Sequence, residues 1–176
     1  DGLPLESALS VSVSPRGGLW IGTAQGAVYW KDGQATAYSV TNGLRFNYVK
    51  RVLEATNGDV FIISGRNELE IISGETVVAR HRTDGMPVAL VEDAHGVVVS
   101  VAGALFRASR DGLKPFPFAE GSNPELQWVM NLALGRDGAI WAATVNGLFR
   151  IKDGRFQHWT QSDGLADANI SAAALA

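Results

Sequence analysis

The sequence predicts an all-β chain folded as a β-propeller, and three observations carry that prediction. Four stretches superimpose: Gly17-Gly18-Leu19-Trp20-Ile21-Gly22-Thr23, Gly58-Asp59-Val60-Phe61-Ile62-Ile63-Ser64, Gly96-Val97-Val98-Val99-Ser100 and Gly138-Ala139-Ile140-Trp141-Ala142-Ala143-Thr144. Their leading glycines are 41, 38 and 42 residues apart, and a period near forty built from short strands marks propeller blades. A second marker keeps the same register between the units, as Asp1-Gly2-Leu3, Asn42-Gly43-Leu44, Asp84-Gly85-Met86 and Asp163-Gly164-Leu165. Composition agrees, since 46% hydrophobic residues, 20 glycines and 5 tryptophans in 176 residues supply a core and many tight turns.

Each repeat reads as four short antiparallel strands. In the first, Leu9 to Val13 alternates apolar and polar residues, Leu19 to Thr23 follows a glycine turn, Ala27 to Trp30 comes next, and Thr36 to Val40 follows Asp32-Gly33. The second and third units are looser copies in which Phe61 and Val99 stand at the tryptophan position. The third is also shorter, with Pro115-Phe116-Pro117 where its outermost strand runs; proline cannot donate to a ladder, so that strand is expected at an edge. The fourth repeats the grammar as Trp128 to Leu134, Ala139 to Thr144, Leu148 to Ile151 and Phe156 to Thr160. Asn57-Gly58, Asp137-Gly138, Asp153-Gly154 and Asp32-Gly33 are expected as two-residue hairpin centres, where both residues take positive φ.

The chain is therefore read as one partial propeller domain over 1–176, with repeats at about 1–41, 42–83, 84–120 and 121–162 and a further blade opening at 163–176 through an innermost strand from Asn169 to Leu175. Four blades and a spare strand leave apolar blade faces open, so a larger ring of about seven blades is expected, within the usual range of this architecture. The opening at Asp1, on a repeat junction, reads as a piece of something longer. An isolated arc of this kind is expected to associate with itself through its open blade edges.

Several function classes are disfavoured. A net charge of −3 with basic residues scattered along the chain offers no electrostatic footprint for nucleic acid or an anionic membrane. No apolar run approaches the roughly 20 residues that cross a bilayer, so no direct membrane contact is expected of this segment. The absence of cysteine removes disulfides and thiolate metal sites without fixing a compartment.

Trp20 and Trp141 share one repeat position and are expected to pack between neighbouring blades, as are Phe61 and Val99 at the same place. Thr23 and Thr144, with Ser64 as a looser equivalent, recur in phase with no base beside them, which suggests an in-blade hydrogen bond and not a nucleophile. His81, His95 and His158 fall at non-equivalent places, and the acidic pairs Glu92/Asp93 and Asp163/Asp167 suit turns and caps. The expectation is no metal, no cofactor and no catalytic residue, because no nucleophile elbow, phosphate loop or zinc motif occurs.

The run Gly18-Leu19-Trp20-Ile21-Gly22-Thr23, then Gly26-Ala27-Val28-Tyr29, Asp32-Gly33 and Asn42-Gly43-Leu44, resembles the repeat of the two-component regulator propeller family. The fourth unit matches through Asp137 to Thr144, Asn146-Gly147-Leu148-Phe149-Arg150, Asp153-Gly154-Arg155-Phe156 and Asp163-Gly164-Leu165, with Asn47 and Asn169 before the innermost strands. The resemblance implies a periplasmic sensor region of a membrane-anchored bacterial receptor, with a histidine kinase or diguanylate cyclase output lying elsewhere, and in gut bacteria a detector of polysaccharide fragments. Such an assignment by fold is analogy.

Propeller geometry gathers the connections into each innermost strand, and those joining the second and third strands, on one face. Here these are Arg45, Phe46, Asn47 and Tyr48 with Gln127 and Trp128, and Gln25, Arg66, Asn67 and Asn146. Aromatics beside amides and guanidinium groups suit a small polyhydroxylated or oligosaccharide ligand, because sugar faces stack while hydroxyls need partners. The sequence thus reads as a ligand-sensing module that binds without turnover. Two alternatives stand beside it: a streptogramin-lyase-like propeller enzyme, whose repeats also carry a glycine closely followed by tryptophan, and a protein-binding scaffold.

Overall fold

A computed structural model describes residues 7–122 and 124–171. The marker Asp1-Gly2-Leu3 and the end of the strand expected over Asn169 to Leu175 lie outside the described residues. The chain forms four four-stranded antiparallel sheets, each a simple meander whose neighbours follow chain order. The first holds β1 Ala8–Val13, β2 Leu19–Thr23, β3 Gly26–Lys31 and β4 Gln34–Tyr38. The second holds β5 Val49–Glu54, β6 Asp59–Ser64, β7 Glu68–Ser73 and β8 Thr76–Arg82. The third holds β9 Pro87–Asp93, β10 Gly96–Val101, β11 Ala104–Ser109 and β12 Gly112–Pro115, and the fourth holds β13 Val129–Leu134, β14 Ile140–Thr144, β15 Gly147–Lys152 and β16 Arg155–Trp159. These are the blades the forty-residue period predicts, and β12, which ends on Pro115, lies at a sheet edge.

By contacts the chain divides into two compact units, Asp1–Pro87 with Arg110–Gly112, and Val88–Ser109 with Leu113–Ala176. In the first unit a core of Trp20, Ala27, Tyr38, Leu44, Val49, Val52, Val60, Ile62 and Ile72 joins the first two sheets. Trp20 is buried there, with its ring 5.1 Å from Tyr29 and 5.3 Å from Tyr38. Gly22 lets the second sheet approach, since a Cβ at that position would lie 2.8 Å from the Val49 carbonyl. In the second unit Ala89, Val98, Leu105, Phe116, Leu132, Ile140, Phe149 and Ile151 belong to one buried cluster between the third and fourth sheets.

The second repeat marker has a local cause. Ser39 caps a short 3₁₀ turn at Val40–Asn42, the Asn42 side chain accepts from the Ser39 N–H, and Gly43 closes the turn at φ 113°. Thr160, Asp163 and Gly164 rebuild the same capping box around Gln161–Asp163. The outer strand expected to reach Val40 therefore stops at Tyr38, because the cap at Ser39 satisfies the next donors itself.

Two of the four expected hairpins differ. Asp32-Gly33 and Asp153-Gly154 have positive φ at both residues, as a two-residue turn requires. At Asn57-Gly58 and Asp137-Gly138 only the glycine is left-handed. There the loop is longer, and the Asn57 and Asp137 side chains accept from the N–H groups of Asp59 and Ala139. A polar side chain that can bond its own backbone two residues on favours this wider turn.

Trp141 also differs from its repeat mate. It is half-buried and stacks on Trp159 of its own sheet at 5.6 Å, whereas Trp20 is enclosed by residues of β5 and β6. Among the described residues no following sheet covers Trp141 in the way the second sheet covers Trp20.

Candidate functional site

The connection entering β5 and the β6–β7 hairpin meet on one edge of the second sheet. The Gly65 N–H donates to the Tyr48 carbonyl at 2.8 Å, which ties Arg45-Phe46-Asn47-Tyr48 to Gly65-Arg66-Asn67. Phe46 lies over Gly65, where a Cβ would come within 2.6 Å of its ring. Phe46 and Tyr48 remain 40% and 48% exposed. Arg45 lies over Phe46 at 5.8 Å and reaches Glu68 at 3.7 Å.

Beneath this edge sits a buried carboxylate that sequence reasoning missed. Glu70 is fully buried and accepts from Ser64 Oγ at 2.7 Å and from the Arg45 N–H at 3.0 Å, with Arg80 Nε at 3.4 Å. A charge taken out of water survives only with such partners. Its readable signal is the pair Glu68 and Glu70, two residues apart on a strand and therefore on one face.

Of the other expected residues, Asn47 and Asn146 are engaged in their own turns. Asn47 Oδ1 accepts from the Val40 N–H at 2.9 Å. Asn146 Nδ2 donates to the Glu125 carbonyl at 3.2 Å, and its Oδ1 lies 2.6 Å from Thr144 Oγ1. The Asn67 carbonyl accepts from the N–H and hydroxyl of Thr83, and the Gln127 carbonyl accepts from the Val145 N–H. Trp128 is 62% exposed with φ 43°, an uncommon conformation for a bulky residue, and its indole stands open to solvent. Within the second unit, therefore, Gln127, Trp128 and Asn146 also share one edge.

Thr23 and Thr144 make the same contacts. Each hydroxyl donates to the carbonyl of the glycine three residues on, Gly26 at 2.9 Å and Gly147 at 2.7 Å, and accepts from the N–H of Gln25 or Asn146. Both hydroxyls are buried and are spent on these contacts, so they lock the hairpin. His158 Nε2 bonds the Asn146 carbonyl and its ring stacks on Phe149 at 3.9 Å.

A cleft of about 370 Å³ opens in the second unit where the β9–β10, β13–β14 and β15–β16 turns meet. Ile140, Ile151 and Phe116 line it with Asp93, Arg107, Asp137 and Lys152. Arg107 lies over Phe116 at 4.9 Å and bonds both oxygens of Asp93. Burial pushes the Asp93 carboxyl up, but hydrogen bonds from Arg107 and the His95 N–H outweigh it and hold the group below the usual aspartate range. These turns lie at the opposite strand ends from the loops singled out in the sequence.

Among the described residues no group of three or more His, Asp or Glu side chains is arranged to hold a metal ion, and no helix is long and apolar enough to cross a membrane.

No protein-family model matches the chain, and no curated protein sequence does. Solved structures do resemble it. Virginiamycin B lyase from Staphylococcus aureus superimposes with a TM-score of 0.68 at 19% identity, covering 90% of this chain and 58% of the lyase. The extracellular domain of a B. thetaiotaomicron protein assigned to the hybrid two-component systems gives 0.53 at 16% identity, over 96% of this chain and 30% of that one. PorZ, a surface component of the type-IX secretion system of Porphyromonas gingivalis, gives 0.71 at 13% identity, over 98% and 31%. The chain thus spans less than two thirds of each of these proteins. Identities this low speak to architecture alone, and with the four meanders above they establish an all-β propeller segment built from blades.

Proposed function

We propose that the chain is a ligand-sensing propeller module from the extracytoplasmic part of a membrane-anchored bacterial signalling receptor, binding a polyhydroxylated small molecule or oligosaccharide without turning it over. The observation that carries this reading is the Tyr48–Gly65 clamp, which holds two partly exposed aromatic rings, Phe46 and Tyr48, on one sheet edge with Arg45 and Arg66. Stacking faces next to fixed hydrogen-bond donors are what sugar recognition needs. The likeness to extracellular domains of two-component proteins supports it by analogy. Signalling then requires the ligand to favour one arrangement of sensor and anchor over another, since binding shifts an equilibrium only through differential affinity.

Calorimetric titration of the chain with a panel of neutral and charged oligosaccharides, followed by chromatography of the recovered ligands, tests the proposal. Saturable binding that weakens at least about tenfold in Tyr48→Ala, with the ligand recovered intact, is the expected result. A panel with no binder overturns the reading, and a ligand consumed during incubation assigns catalysis instead.

A further inference from the structure

The sequence scatters its basic residues, and the fold gathers three of them on the edge just described. Strand β5 pairs Val49 with Ser64 and Arg51 with Ile63, so Lys50 is an extra residue bulged out of the ladder. The first and fourth sheets carry the same irregularity, at Leu9 and Met130. A bulge re-aims its side chain, and only in the second sheet is that side chain a cation. Lys50 Nζ reaches the Arg66 carbonyl at 3.4 Å, which brings the ammonium beside the Arg66 residue, and Arg51 bonds the Lys50 carbonyl at 2.9 Å.

Nearby carboxylates are already engaged. Glu68 pairs with Arg45 and Glu70 with Arg80, so these two carboxylates of the edge are spent on other cations. Burial first, and then the charges of Arg66 and Arg51, hold the Lys50 ammonium below the ordinary lysine range. Like charges held together in a partly desolvated place weaken the folded state, and an arriving anion relieves them.

Resting on the saccharide-sensing reading above, we infer that this edge takes an anionic saccharide, with its carboxylate or sulfate held by Lys50, Arg51 and Arg66 and its ring faces against Phe46 and Tyr48. Both aromatics are partly exposed on the same edge, so a sugar ring stacks there while its anionic substituent lies over the cations. Neutral saccharides satisfy only half of this arrangement.

The experiment titrates the chain with oligogalacturonate and with the same oligosaccharide after methyl esterification, which removes the charge and keeps the rings. A sulfated galactan oligosaccharide and its desulfated product form a second arm that separates carboxylate from sulfate. The expected result is binding to at least one charged member, weaker by about tenfold or more for its neutral counterpart, falling with added salt. Lys50→Met and Arg66→Gln each weaken that binding by about tenfold. Thermal unfolding checks that both variants fold, and Lys50→Met melts no lower than the parent because it removes a partly buried, mutually repelled cation. Equal binding of charged and neutral members, or charged binding untouched in both variants, overturns this inference and leaves the sensing reading standing. Binding to no saccharide overturns both.

Discussion

Glu54→Ala tests the account of how the first two sheets are joined. The Glu54 side chain has no exposed surface and takes three donors from the first sheet and its turn: Ser14 Oγ at 2.6 Å, Trp20 Nε1 at 2.7 Å and Arg16. Removing the carboxylate strands two buried donors, since Ser14 is 2% and Trp20 1% exposed, and each costs about 1–3 kcal/mol without a partner. Arg16 is 59% exposed and rehydrates, so its ion pair adds little. The sum is about 2–6 kcal/mol, a large share of the roughly 5–15 kcal/mol that holds a domain together. Glu54→Gln supplies a sharper contrast. Ser14 and Trp20 bond the same carboxylate oxygen, so an amide carbonyl placed there keeps both, and the cost falls to about 1 kcal/mol. Urea unfolding followed by tryptophan fluorescence, compared at unchanged denaturant slope, reads the difference. Equal costs for the two variants, or less than about 1 kcal/mol for alanine, would refute the argument.

Three further outcomes follow from the same geometry. Burial raises the Glu54 carboxyl, but hydrogen bonds from Arg16, Ser14 and Trp20 and the Arg16 charge bring it below the ordinary glutamate value. Its contribution is therefore complete above the unfolded value near pH 4.3 and is lost as pH falls through the lower folded one, so the acid limb of a pH–stability curve should be shallower in Glu54→Gln. Gly26→Ala should cost more than the roughly 1 kcal/mol expected of Gly33→Ala: both have positive φ, but a Cβ on Gly26 would stand 2.2 Å from the Tyr38 carbonyl, whereas nothing lies within 4 Å at Gly33. Equal melting temperatures for those two variants would refute the steric argument. Trp20→Ala should cost about 3–5 kcal/mol, and Trp141→Ala should cost clearly less, because Trp141 is half-exposed and leans on Trp159; denaturant midpoints of the two variants decide it.

The blades, their order and the turns at Asp32-Gly33 and Asp153-Gly154 were legible in the sequence because their causes are local. A left-handed Gly26 or Gly147 opening the third strand, a threonine hydroxyl closing that hairpin and a polar residue capping Val40–Asn42 act over two to five residues, so they repeat wherever the chain repeats. The aromatic edge at Phe46 and Tyr48 was legible for the same reason, since repeat phase alone tells which loops share a face. The charge arrangement was decided by the tertiary structure. Glu54 meets Ser14 from 40 residues away, Arg45 meets Glu70 from 25, and Lys50 meets Arg66 from 16. Whether a cation is neutralised or left among its like depends on groups that only sheet packing and a single bulged residue bring together, and the same physics separates enclosed Trp20 from half-open Trp141 at one shared repeat position.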